Sequence, residues 1–199
     1  MTRPDPEFIA EIESLQGVYL SSDDPIEQSG FSGGRERWVT ERSPIVEAID
    51  RDGDFLDVGC ANGLLLEDIV VWAASAGHAI VPYGVDIGSD LIELAKRRLP
   101  RFAANFVAAD AWRWAPKRCW DHVFSLVDLG PDDLGCEWLA RLAGWVAPGG
   151  RLIIGSYGSR SRGVEPVDVA FLLERCGYHV TGETLAGEPP ISRFAWTDP

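Results

Sequence analysis

Three carboxylates stand at the C-terminal ends of three successive apolar runs: Asp57 in "FLDVG", Asp86 in "YGVDIG" and Asp110 in "FVAADAW". A parallel α/β sheet takes its ligands in the crevice outside the carboxyl ends of its strands. An acid there, beside close glycine backbone, suits a ligand that carries positive charge. An acid at the end of the second strand accepts from both hydroxyls of a ribose. A third, one strand further along, reaches the amino edge of a purine.

The turn after the first strand narrows the choice. It reads Gly59-Cys60-Ala61-Asn62-Gly63 and runs into leucines. A phosphate-binding loop needs a Lys after its last glycine, and none follows. A dinucleotide fingerprint needs G-x-G-x-x-G, and Ala61 stands where its second glycine belongs. Asp57 is a negative charge that a pyrophosphate opposes. A cationic amino-acid head, a ribose and an adenine, in that order, describe S-adenosylmethionine.

"FLDVGCANG" (55–63) resembles motif I of the class I S-adenosylmethionine-dependent methyltransferases, with Asp57, Gly59, Ala61 and Gly63 in the motif positions. Asp86 matches the ribose-binding acid of that family. Asp110, flanked by Ala109 and Ala111, matches the adenine-binding segment, and "APGGRLII" is similar to the turn into strand five. The resemblance spans residues 54–197. It implies S-adenosylmethionine as cofactor, S-adenosylhomocysteine as product, and a cofactor-binding set that adds Cys60, Asn62, Ile87 and Leu126. Cys60 reads as a small filler rather than a nucleophile, and Asn62 as a turn former with one hydrogen bond to the ligand.

Methyl transfer is an in-line displacement that needs two aligned reactants in a dry site. Asp128, in "SLVDLGPDD" at the end of strand four, is the ionisable group best placed to act as base or to position the acceptor. Family members that methylate exocyclic amines of bases carry N/D-P-P-Y/F there, and this chain does not. Arg160 and Arg162, in the loop after strand five, suit a substrate carboxylate or phosphate. Phe31 and Trp38 flank a glycine-rich stretch, as in a closing lid. The histidines form no set: His78 reads as exposed, and His122 and His179 as strand residues. No metal site is expected.

The elements that must hold these residues follow from periodicity. Helices are expected over 5–20, and from Arg35 with a restart at Ser43-Pro44 to Asp50, separated by the loop 21–34. Strand and helix then alternate: strands at 55–58, 79–86, 105–110, 122–129 and 151–157, and helices at 63–76, 89–99 (with Ser89 as N-cap), 132–146 and 165–176. Two strands, 177–184 and 192–198, end the chain, joined by a link too short for a parallel crossover. The fold class is therefore α/β: a doubly wound, mostly parallel seven-stranded sheet with helices on both faces. The resemblance implies the order 3-2-1-4-5-7-6 with strand 7 antiparallel. Residues 1–50 form a helical extension or lid, and 51–199 the cofactor-binding domain.

Composition bounds the partners. A net charge of −13, with no basic run, opposes nucleic-acid binding, so a small-molecule acceptor is expected. No apolar run is long enough to span a membrane, and the N-terminus lacks the apolar core of a signal peptide. Cys60, Cys119, Cys136 and Cys176 are scattered without a C-x-x-C pair, which reads as free thiols in the cytoplasm. The oligomeric state is not legible. Two rivals share the architecture: a protein that binds the cofactor without turnover, and an NAD-linked oxidoreductase, which the missing glycine disfavours.

Overall fold

The computed structural model describes residues 14, 16–129 and 135–199. Seven strands form one sheet: β1 (Gly53–Val58), β2 (Ile80–Asp86), β3 (Phe106–Ala108), β4 (Trp120–Leu126), β5 (Val146–Tyr157), β6 (Gly182–Ala186) and β7 (Ser192–Thr197). Their order is β3-β2-β1-β4-β5-β7-β6, as expected. β7 runs antiparallel to both β5 and β6, and the other pairings are parallel.

Alternation along each strand builds two apolar layers, because successive side chains leave the sheet on opposite faces. Phe55, Phe124, Ile153 and Phe194 pack on one face with Leu66 and Ile69 of α2 (Leu64–Ser75) and Ile92 of α3 (Ser89–Arg98). Leu56, Val123, Leu152 and Ile154 pack on the other face. There they meet Trp138, Leu139 and Leu142 of α4 (Gly135–Ala143) and Leu173 of α5 (Val169–Arg175). A further helix, α1 (Gly34–Arg42), runs into a 3-10 turn at Ser43–Ala48. Together they match the restart expected at Ser43-Pro44.

Several boundaries differ from expectation for local reasons. The residue before α3 is Gly88, so Ser89 is the first helical residue rather than the cap. α5 starts late because Asp168 caps it, its carboxylate accepting from the Phe171 amide at 3.0 Å. β6 starts at Gly182, which leaves His179 in an exposed loop instead of a strand. β5 begins early, so "APGG" lies within the strand rather than before it. His78 is partly buried. His122 is fully buried in β4 and stacks on Phe55. The expected helix 5–20 falls mostly outside the described residues, apart from helical backbone at 14 and 16–19, as does the start of the helix at 132.

The cysteine reading needs a larger correction. Cys136 of α4 and Cys176, just after α5, form a disulfide across a sequence separation of 40, leaving Cys60 and Cys119 free. Sequence spacing carried no sign of it, because the two cysteines meet only once both helices pack on the same sheet face. Closing a loop of this length stabilises by about 4 kcal/mol in the chain-entropy account. Calorimetry with a reductant able to open the bond should therefore show a Tm lower by roughly 10 °C. An unchanged Tm after verified reduction would show that the helices hold each other without it.

Candidate active site

The C-terminal ends of β1, β4 and β5 open into a cleft of ≈ 510 Å³. Its floor is the turn after β1. Gly59 and Gly63 take φ of +86° and +74°, where a side chain is strained, and a Cβ on Gly63 would lie 2.9 Å from that of Ala95 on α3. Ala61 also takes a positive φ, +44°. Its amide donates to Asp86 Oδ2 at 2.8 Å, which holds the unfavourable conformation in place. Asp86 Oδ1 accepts from the Gly88 amide at 2.8 Å. The second acid therefore braces both the first turn and the start of α3, and each of its oxygens keeps further lone-pair capacity. Burial pushes the Asp86 carboxyl up, against the pull of those amide donors.

Asp57 is the most perturbed acid. It is only 3% exposed and lines the cleft. Burial first, and the charge of Asp86 second, push its carboxyl up to about 8. Such a group holds its proton at neutral pH, and a cation placed against it would favour the carboxylate form.

The sequence-selected residues fall into three groups. Asp57, Gly59, Cys60, Ala61, Leu126, Asp128, Phe31, Trp38, Arg160 and Arg162 all border this cleft. Asp86, Ile87, Ala109, Asp110 and Ala111 lie beyond its boundary, towards β2 and β3. There the Ala109 amide donates to the Asp86 carbonyl at 2.8 Å, tying the two strand ends together. Asp110 accepts from the Trp112 amide at 2.9 Å and lies 3.6 Å from Arg113 Nε. Asn62 forms the turn as expected, and its amide nitrogen is taken by the chain itself. Its side chain is fully buried, donates to the Pro25 carbonyl at 2.8 Å and accepts from the Leu64 amide at 3.2 Å, so it clamps the N-terminal segment to the turn. The Cys60 thiol lies under the turn against Gly84, and burial pushes it well above the usual thiol range.

The N-terminal segment closes one side of the cleft. Phe31 meets Trp38 edge to face at 5.6 Å, and both pack on Ile26 and Leu64. The Trp38 indole donates to Asp68 at 2.7 Å, and Arg35 grips the same carboxylate with two bonds of 2.5 Å. Further back, Gln16 donates to Asp90 at 2.9 Å beside Asp86. The phenol of Tyr19 is raised by burial and by the charges of Asp86 and Asp128.

Sequence reasoning passed over several residues of this region. Arg42 and Tyr157 meet inside the cleft, with the guanidinium 3.4 Å from the ring centroid. Glu41 lies beside Arg42, and Leu129 lies against the open face of Gly59. Position alone marked Tyr157, as the last residue of β5. Nothing in the sequence distinguishes Arg42 from the other arginines of its helix.

No protein-family model matches the chain. It is 37% identical over 101 residues, half its length, to trans-aconitate 2-methyltransferase of Methylobacterium radiotolerans, and the match spans 36% of that relative. Among solved structures it is similar to the N-methyltransferase NodS of Bradyrhizobium japonicum in complex with S-adenosyl-L-homocysteine. The TM-score there is 0.70 at 16% identity, over 94% of this chain and 96% of that one. It is also similar to magnesium protoporphyrin IX methyltransferase of Synechocystis with bound cofactor, at TM-score 0.59 and 16% identity over 98% of each chain. With the strand order, the glycine turn and the three strand-end acids, these likenesses show that the chain has the fold of the class I S-adenosylmethionine-dependent methyltransferases.

Proposed function

We propose that the protein transfers the methyl group of S-adenosylmethionine to a small-molecule acceptor. The observation that carries this is the pair of buried acids, Asp57 and Asp86, on either side of a strained glycine turn at the mouth of the sheet. The residues fit the cofactor. Asp57 offers a carboxylate for the ammonium, Asp86 spare acceptor capacity for a ribose, and Asp110 with Ala109 and Ala111 a ledge for the adenine. Gly59, Ala61, Ile87 and Leu126 supply close, apolar walls. When bound, the cofactor supplies a methyl on a sulfonium, already activated for displacement.

The chain's own residues then have to align an acceptor and exclude water. Asp128 faces the cleft from the end of β4 and serves as base or positioning group in this reading. Residues 1–50 act as the cover, with Phe31 and Trp38 as the acceptor-side wall. The negative chain opposes nucleic acid, so the acceptor is small. A cytoplasmic location belongs to the same proposal, although the disulfide takes two of the four thiols that argued for it. A fractionation that puts the chain outside the cell would refute it.

Calorimetry with S-adenosylhomocysteine tests the reading. Asp86→Ala should lose at least about tenfold in affinity, since a charge-assisted bond contributes about 1.5–3 kcal/mol. Binding of NAD with none of S-adenosylhomocysteine would sink it. Incubation with labelled S-adenosylmethionine and a cell extract separates turnover from mere binding. Tight cofactor binding with no labelled small product would favour the non-catalytic rival.

A further inference from the structure

Arg42 is 6% exposed, yet no described residue accepts a hydrogen bond from its guanidinium, and Nη1 is wholly buried without a partner. Glu41 Oε2 is the nearest acid, at 3.6 Å, too far for a good bond. Glu41 is instead engaged by Arg37, with bonds of 3.1 and 2.8 Å. Aromatic rings cover the guanidinium: Tyr157 at 3.4 Å, Phe31 at 4.7 Å and Trp38 at 5.3 Å from its central carbon. Covered faces leave only the in-plane N–H fork free to donate. The Tyr157 hydroxyl beside it is also buried, with no hydrogen-bond partner among the described residues.

Buried donors left unpaired are costly, and a buried unpaired charge is more so. Two such groups side by side, both lining the cleft, are a site prepared for an acceptor of hydrogen bonds. We propose that Arg42 and Tyr157 hold a carboxylate of the methyl acceptor, with Arg160 and Arg162 drawing it in from the rim. The proposal rests on the reading of the cleft as a methyltransferase site, and it names the acceptor class.

Three features favour this ligand. A planar carboxylate matches the fork of a guanidinium whose faces are stacked. The cleft carries three acids, Glu41, Asp57 and Asp128, against four arginines, Arg37, Arg42, Arg160 and Arg162, and this small positive balance suits a single negative charge better than a doubly charged phosphate. The site is set on a different strand end from the cofactor's ammonium partner, in the same cleft and near enough for the Asp57 charge to act on the Tyr157 phenol. Tyr157 ends β5, and β4 separates β5 from β1, which carries Asp57. The aromatic surround adds that the carboxylate is borne on a flat, apolar body.

The experiment titrates benzoate and its neutral isostere benzamide into the full chain, with and without saturating S-adenosylhomocysteine. Wild type, Arg42→Gln and Tyr157→Phe are compared. Benzoate should bind the loaded wild type and benzamide should not. Arg42→Gln should weaken benzoate by about tenfold or more, as expected for loss of a charged donor, and Tyr157→Phe by several-fold. S-adenosylhomocysteine affinity should stay within about threefold in both variants. Loss of S-adenosylhomocysteine binding with benzoate unaffected would overturn the proposal and give Arg42 to the cofactor's own carboxylate. Equal binding of benzoate and benzamide, or no benzoate binding to the loaded wild type, would also overturn it. Failure of S-adenosylhomocysteine to bind wild type would instead strike the underlying reading. If Arg42→Gln does not fold, Arg42→Lys keeps the charge while removing the fork, and should still lose benzoate selectively.

Discussion

The affinity for S-adenosylhomocysteine is expected to rise about ninefold from pH 6 to pH 7 and about fivefold more from pH 7 to pH 8, levelling off near pH 9. The cause is Asp57, whose carboxyl is pushed up to about 8 by burial and by the neighbouring charge of Asp86. An ammonium group needs the carboxylate form. At pH 7 about nine in ten unliganded molecules hold the proton on a group of that pKa, so binding must release nearly one proton. Calorimetry in two buffers of different ionisation enthalpy reads that release directly. Asp57→Asn should remove the pH dependence and bind at least tenfold more weakly at pH 8. A flat wild-type affinity across this range would show that Asp57 is not the partner of the ammonium. Stability of the free protein should move the other way. The folded-state pKa lies above the unfolded value near 3.9, so the folded chain holds the extra proton between about pH 4 and 8. The contribution of Asp57 is therefore fully present below that window and is lost as pH rises through it.

What could be read from the sequence was what local pattern dictates. Strand-end acids, a glycine turn and alternating apolar runs specify the sheet and one end of the site, because each is a short-range consequence of strand and turn geometry. The antiparallel end of the sheet was legible from the length of a single link. The acceptor side was not legible. Arg42 and Tyr157 are far apart in sequence, and only the packing of α1 over the end of β5 brings them to 3.4 Å. The Cys136–Cys176 bond escaped for the same reason. Asn62 forms the turn as its type suggests, but the partner of its amide nitrogen was not legible, because a turn asparagine looks the same whether that amide meets a ligand or the chain, and here it meets the Pro25 carbonyl. The helix expected from residue 165 starts at Val169 as α5, because Asp168 holds the cap.

Removing residues 1–34 is expected to cost the fold of the site, whereas removing 1–20 is expected to leave the fold and alter binding. The structure divides the N-terminal segment into two parts that differ in how they are attached. Pro25 to Phe31 is built into the domain. Ile26 and Phe31 are buried against Trp38 and Leu64, and the buried Asn62 amide depends on the Pro25 carbonyl. Burying a large apolar side chain contributes about 1.5–3 kcal/mol, and an amide left unpaired costs about 1–3 kcal/mol. The sum is about 5 kcal/mol or more, comparable with the whole stability of a small domain. Cooperative unfolding followed by circular dichroism should therefore vanish, or shift far down, in the chain that starts at Arg35. Among the described residues, 16–19 are attached through Gln16 on Asp90 and through Tyr19, which lies close to Asp86, Asp128 and Gly30. A chain starting at Ser21 should unfold cooperatively with a Tm close to that of the full chain. If this part serves as the proposed cover, turnover should suffer more than S-adenosylhomocysteine affinity, because Asp57, Asp86 and the turn remain. Hydrogen exchange on the intact protein adds a second reading: amides at 16–20 should gain protection with S-adenosylhomocysteine more than those at 26–31, which packing already protects. A chain starting at Arg35 that unfolds as cooperatively as wild type, with the same Tm, would show that the packing of Ile26 and Phe31 contributes nothing to the domain.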